Sequence, residues 1–170
     1  MILQPKGDVP GVPPGLLPLA AALLAIGGVL LALYLQHGKG LYPCSWCVLQ
    51  RLQYLVLAAL ALVAWMLRGR DGASRLFSGL ALLMALAGVA AAMYQQLVAT
   101  EDLSCALSLA DRIITGLHLD ALAPWMFQAT AMCHEANLPM LGIPFAIWSV
   151  MLFSLLGLLL AWATFSRRSA

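Results

Sequence analysis

The sequence predicts an all-α membrane protein, a four-transmembrane-helix bundle with a long outward loop containing a short membrane-surface helix. Three observations predict it. Hydrophobic residues make up 63% of the chain and charged residues only 9%, against roughly 45–50% and about 25% in ordinary globular proteins. A soluble fold of 170 residues cannot cover that much apolar surface, so the excess must face lipid. Four runs each reach the ~20 residues that a helix needs to cross about 30 Å of hydrocarbon. The basic residues, finally, gather at alternate ends of those runs.

The first run, 16–35, has no charge. It exceeds the roughly 7–15 residues of a signal-peptide core, so it is read as a span. The second, 48–67, carries one charge, Arg51, in its first turn. The third, 76–98, and the fourth, 143–165, are uncharged. Pro144 stands at the start of the fourth, where a missing backbone N–H costs little. Gly27, Gly28, Gly79, Gly88 and many alanines would let helices approach closely in lipid. The whole chain, 1–170, reads as one domain, with loops at about 36–47 and 99–142 on one side and a tight turn at 68–75 on the other.

Charge sets the expected orientation. Lys6, Arg68, Arg70, Arg75, Arg167 and Arg168 share one side, while Lys39 and Arg112 lie on the other. The positive-inside rule therefore places both termini and the 68–75 turn in the cytoplasm. The two remaining loops then face outward; in a bacterium they are periplasmic loops of an inner-membrane protein. The longer one is acidic, with Glu101, Asp102, Asp111, Asp120 and Glu135. A net charge of +2, with scattered Lys and Arg, gives no reason to expect nucleic acid.

Cys44, Cys47, Cys105 and Cys133 all fall in or beside the outward loops. Pro43-Cys44-Ser45-Trp46-Cys47 opens the second span. A Cys-x-x-Cys pair closes a small, easily exchanged disulfide, and a helix N-terminus favours the thiolate. Arg51 follows Cys47 by four residues and Cys44 by seven, which puts all three on one helix face. Its charge would stabilise a thiolate or a reduced, anionic acceptor. Snorkelling to the headgroups is the plainer reading of a lone Arg, but the adjacent cysteine pair favours a site. Zinc would need two further ligands from Cys105, Cys133 or His134, and an oxidising location argues against it.

Cys105 and Cys133 belong to a loop too long to be structureless. Its apolar stretch 117–128, with Leu119, Leu122, Trp125, Met126 and Phe127, could lie along the membrane surface. There it could hold Cys133 near Cys44 and leave Cys105 reachable. A stapling disulfide is the alternative for this pair taken alone.

With these residues in place, the chain resembles the disulfide bond formation protein B (DsbB) family. The resemblance rests on the four spans, the Cys-x-x-Cys with Arg51, and Pro124-Trp125-Met126-Phe127-Gln128 followed by Cys133 and Leu141-Gly142-Ile143-Pro144. It covers nearly the whole chain. It implies a quinone-dependent protein-thiol:disulfide oxidoreductase that reoxidises a periplasmic DsbA-like thioredoxin-fold protein. The cofactor would be a membrane quinone, either ubiquinone or menaquinone. By the same resemblance, Cys105 would form the mixed disulfide with that partner. Cys133 would exchange with Cys44, Cys47 would be freed as the thiolate that meets the quinone, and Arg51 would hold the quinone.

The chain departs from the family at three places. Gln95 and Gln96 stand near the outer end of the third span, where relatives often carry His; either could hydrogen-bond a quinone carbonyl. Phe145-Ala146 follows Pro144 where a Trp is expected, and the inner dipeptide Ser45-Trp46 is less usual. A haem protein is disfavoured, since His37, His118 and His134 all lie outside the spans. A vitamin K epoxide reductase type of enzyme would place its Cys-x-x-Cys late in the chain. The remaining alternative is a non-enzymatic four-helix scaffold whose outward loops carry structural disulfides. Thiol trapping with and without quinone separates the two, because only a catalytic pair follows quinone supply.

Overall fold

The structure, a computed structural model, describes residues 15–99, 108–137 and 139–165. Cys105, Lys6, Glu101, Asp102, Arg167 and Arg168 lie outside the described residues.

Four long helices, α1 (Leu17–Lys39), α2 (Ser45–Met66), α3 (Asp71–Tyr94) and, at the end of the chain, α8 (Phe145–Phe165), carry the fold. Each is long and apolar enough to cross a bilayer, which makes the chain a multi-pass membrane protein. They form a ring in which α1 packs on α2, α2 on α3, α3 on α8 and α8 back on α1. Outward positions such as Leu23, Leu30, Leu83 and Leu158 stay exposed, as lipid-facing leucines do.

The inward stripes are built from small residues. On α3, Ser74, Ser78, Ala81, Ala85, Gly88 and Ala92 recur every three or four residues and are all buried. Ala21, Ala22 and Ala25 on α1 and Ala58 and Ala61 on α2 meet them around Leu57, Phe153, Leu156 and Leu160. Lipid supplies no hydrophobic drive between helices, so close backbone approach and dispersion hold this core. Gly88 shows how close: a Cβ there would come within 2.4 Å of the Phe153 ring.

Element ends differ from the expected spans for identifiable reasons. Gly40, at φ 70°, ends α1 in the left-handed conformation, its N–H bonded to Gln36 O. Helix α2 starts at Ser45, before the expected 48, because Cys44 serves as its N-cap and accepts from Cys47 N. Helix α3 starts at Asp71, whose carboxylate suits a helix N-terminus. Its C-terminal end widens into a single π turn, Gln95–Ala99. Pro144 is not in α8. It pairs with Pro139 in a two-residue hairpin, β1 (Pro139–Met140) and β2 (Ile143–Pro144), turned through Leu141 and Gly142 at φ 55° and 81°.

Among the described residues the long loop holds four short helices: α4 (Leu109–Gly116), α5 (Leu119–Leu122), α6 (Pro124–Phe127) and α7 (Cys133–Ala136). The stretch 117–128 is made of two short helices, α5 and α6. His118, at φ 54°, and the Ala123–Pro124 junction break it into single turns. Leu122 and Trp125 remain exposed, while Phe127 turns inward onto Val48 and Ile114. The longest amphipathic piece is α4, capped by Ser108, whose Oγ accepts from Asp111 N at 3.2 Å.

Candidate functional site

The N-terminal end of α2 is the most polar buried region described. Ser45, Cys47, Gln50 and Arg51 are all buried there, within a helix that otherwise reads as a membrane span. Buried polar groups in such a place need partners, and the loop helices supply them.

Two amide N–H groups, of Thr130 and Ala131, donate to the carbonyl of Pro43 at 3.0 and 3.2 Å. They pin the segment before α7 onto the residue that precedes Cys44. Ser45 Oγ and Ser108 Oγ, 3.2 Å apart, fasten the start of α4 to the same turn. As a result Cys133 lands fully buried in one cluster with Cys44, Cys47, Trp46 and Ala110. All three cysteines are free thiols. The Cys44 thiol donates to Cys47 Sγ at 3.1 Å. The neighbouring Cys133 thiol, and then burial, push the Cys44 thiol up to about 12. The sulfurs thus form a series: Cys133 beside Cys44 on the loop side, Cys44 against Cys47, and Cys47 on the wall of a cavity.

That cavity, about 280 Å³, opens between α1, α2, α8 and the β-hairpin. Its wall is mostly aliphatic and aromatic, with Leu31, Leu35, Phe145, Trp148 and Leu152. Among these stand Cys47, Gln50, Arg51 and Tyr54, all from α2. Arg51 is 5% exposed. Its Nη1 donates to Gln36 Oε1 at 2.6 Å and to Met126 O at 2.9 Å. Gln36 Nε2 and His37 Nε2 lie 3.4 and 3.1 Å from Trp125 O. The α6 turn is therefore tied by its carbonyls to α1 and to Arg51. Below, the Tyr54 ring stacks on Phe153 with centroids 3.9 Å apart, and its hydroxyl donates to Ser149 O at 3.4 Å.

The structure brings together Cys44, Cys47 and Cys133, and sets Arg51 on the cavity that Cys47 faces. It places neither Gln95 nor Gln96 on that cavity's wall, where a direct contact with a bound quinone would need them. Gln96 Oε1 accepts from Asn137 Nδ2 at 2.9 Å, and Asn137 Oδ1 accepts from Ala146 N in the first turn of α8. That amide links the π turn, α7 and α8. Gln95 is fully buried and faces the sulfurs: its Nε2 donates to Cys47 Sγ at 3.2 Å and to Cys44 Sγ at 3.6 Å. Gln36, Gln50 and Tyr54 were not singled out by sequence reasoning. Gln50 and Tyr54 bracket Arg51 on α2, and their polarity inside an apolar run was the available signal.

Residues 15–163 match the family model of disulfide bond formation protein DsbB. Among relatives, the chain is 36% identical to disulfide bond formation protein B of Azoarcus sp. (strain BH72) over 87% of each chain. It is 36% identical to the protein of that name from Pseudomonas syringae pv. tomato, over 81% of this chain and 79% of the relative. With that of Ralstonia nicotianae it shares 32% identity over 88% and 92%.

Proposed function

The chain belongs to the disulfide bond formation protein B family, and from that premise we propose that it oxidises a periplasmic thioredoxin-fold dithiol protein at the expense of a membrane quinone. The family establishes a membrane protein of disulfide bond formation. The observation that carries the reading is the ordered series Cys133, Cys44, Cys47 and cavity, with Arg51 on the cavity wall.

The residues present suit a quinone ring. The cavity is apolar, offers aromatic faces, and holds one buried guanidinium next to a sulfur. Arg51, Cys47 and Tyr54 would hold the head group, and Leu31, Leu35 and Leu152 would surround it. When bound, a quinone supplies a two-electron acceptor soluble in the bilayer. The chain's own residues do the rest. Incoming dithiol electrons enter through the pair Cys105 and Cys133. A Cys133 thiolate attacks Cys44 Sγ of the Cys44–Cys47 disulfide; the new Cys44–Cys133 bond forms as the electron pair of the broken bond leaves on Cys47. Arg51 places a fixed positive charge where that negative charge arrives, inside a medium that screens it little. The α6 turn and the loop helices cover the sulfurs and exclude water.

The reading puts the protein in a bacterial inner membrane, termini cytoplasmic and both cysteine loops periplasmic, which the distribution of Lys and Arg supports. Purified protein mixed with a reduced thioredoxin-fold partner and a short-chain quinone should reduce one quinone for each partner disulfide made, followed by quinone absorbance and thiol trapping. Partner oxidation that proceeds at the same rate and extent without quinone or oxygen would defeat it.

A further inference from the structure

We propose that Gln95 is a catalytic hydrogen-bond donor to the Cys47 sulfur and that Gln50 is the positioning residue that aims it. The inference deepens the redox reading above and rests on it for its purpose.

Gln95 stands at the first position of the π turn, on the same inward stripe of α3 as Ala85, Gly88 and Ala92. It is fully buried, yet every polar atom of its side chain is engaged. Its Nε2 reaches Cys47 Sγ at 3.2 Å and Cys44 Sγ at 3.6 Å, and its Oε1 accepts from Gln50 Nε2 at 2.7 Å. An amide NH₂ has two donors and no acceptor capacity. A thiolate accepts only. Once Cys47 is a thiolate, the arrangement that satisfies both sulfur contacts is the one seen, with the NH₂ turned to the cysteines and the oxygen to α2. Gln50 then fixes that arrangement, because its own NH₂ locks the Gln95 oxygen from the opposite side.

Consequences follow for the exchange step. When Cys133 takes Cys44, the electron pair of the broken bond settles on Cys47. The amide is already oriented toward that sulfur, so stabilising the new anion requires no reorganisation. Arg51 acts on the same sulfur through the field at the cavity side, whereas Gln95 acts by direct contact from the α3 side. An amide does not titrate, so this donation is the same at every pH at which the fold survives. A hydrogen bond between two glutamines across helices also contributes to packing in a membrane. A buried amide must satisfy its donors, and the acceptors this one meets are the two sulfurs, which ties the pair to the reacting atoms.

The test uses full-length protein carrying Cys44→Ser, which leaves Cys47 without its disulfide partner, kept reduced in detergent. Alkylation of Cys47 is followed by residue-resolved mass spectrometry, without quinone or partner, so the result does not depend on the acceptor. Gln95→Leu should slow alkylation at neutral pH about tenfold, the size expected for loss of one hydrogen bond to a charged group. Gln50→Leu should slow it about threefold. Both deficits should vanish in strong alkali, where the sulfur is ionised regardless; an effect of packing or access would persist there. Rates equal to the parent at neutral pH in either folded variant, or a deficit that survives in alkali, overturns the proposal. Should Gln95→Leu not fold, the milder Gln50→Leu decides alone. Failure of the redox reading would show instead as absent quinone reduction in a protein whose alkylation still obeys this pattern.

Discussion

The amide of Thr130 donates to the carbonyl of Pro43 across 3.0 Å, and that contact joins the two cysteine loops. Ala131 adds a second bond to the same oxygen. Between them they set Cys133 beside Cys44, with only Met132 intervening. The double variant Thr130→Pro, Ala131→Pro removes both donors. At roughly 0.5–1.5 kcal/mol per bond, the rate of forming the Cys44–Cys133 disulfide should fall about tenfold, measured by quenched-flow trapping. The thermal midpoint of the four-helix bundle should change little. An unaltered exchange rate would mean that the loop is held by other contacts.

Arg51 joins three elements through one nitrogen, Nη1, which serves both Gln36 Oε1 and Met126 O. Arg51→Lys keeps the charge but loses the planar fork, so it should raise the KM for a short-chain quinone about tenfold and leave partner oxidation by a single turnover intact. Arg51→Gln should cost more, since it removes the charge as well. Steady-state quinone kinetics on both variants check this ordering.

Cys44 gives a pH dependence with a definite sign. Its ordinary value of 9.0 is pushed up to about 12, first by Cys133 and then by burial. The folded, reduced protein therefore holds the Cys44 proton more tightly than the unfolded chain does. That contribution to stability is fully present below about pH 9 and lost as pH rises through about 12. Reduced protein should lose thermal stability across that window, and Cys133→Ala, which removes the largest cause, should shrink the loss. Melting curves of both proteins at several alkaline pH values provide the measurement.

Much of this architecture was legible in composition and spacing. Four spans follow from long apolar runs, three of them uncharged, and Cys44, Cys47 and Arg51 follow from one motif. Boundaries were less legible, because a cysteine sulfur that caps α2 carries no hydropathy signal. The fate of Gln95 was hidden for a different reason. Its place on α3 extends the buried stripe of Ser74, Ser78, Ala81, Ala85, Gly88 and Ala92, so its burial could be read. Which neighbour it would face depends on how α3 packs on α2, and on a π turn that no periodicity announces. Within 117–128 the apolar content was legible, but the left-handed His118 and the break at Pro124, which divide it into single turns, carry no hydropathy signal.

Packing far from the sulfurs reaches the cavity through Gly88. A Cβ at that position would meet the Phe153 ring at 2.4 Å, closer than any carbon pair tolerates. Phe153 is fully buried and stacks at 3.9 Å on Tyr54, which lines the cavity. Gly88→Ala must therefore displace the ring, and the ring must displace Tyr54 or push α8 from α3. Overpacking of this kind costs about 1–3 kcal/mol. The variant should melt several degrees lower and bind a short-chain quinone more weakly, while the thiol exchange between Cys133 and Cys44 is spared. Adding Phe153→Leu supplies the missing space and should recover part of the stability, although Tyr54 then loses its stacking partner and quinone binding should stay weak. Recovery of both properties together would show that Phe153 transmits only volume; recovery of neither would show that Gly88 is needed for its backbone.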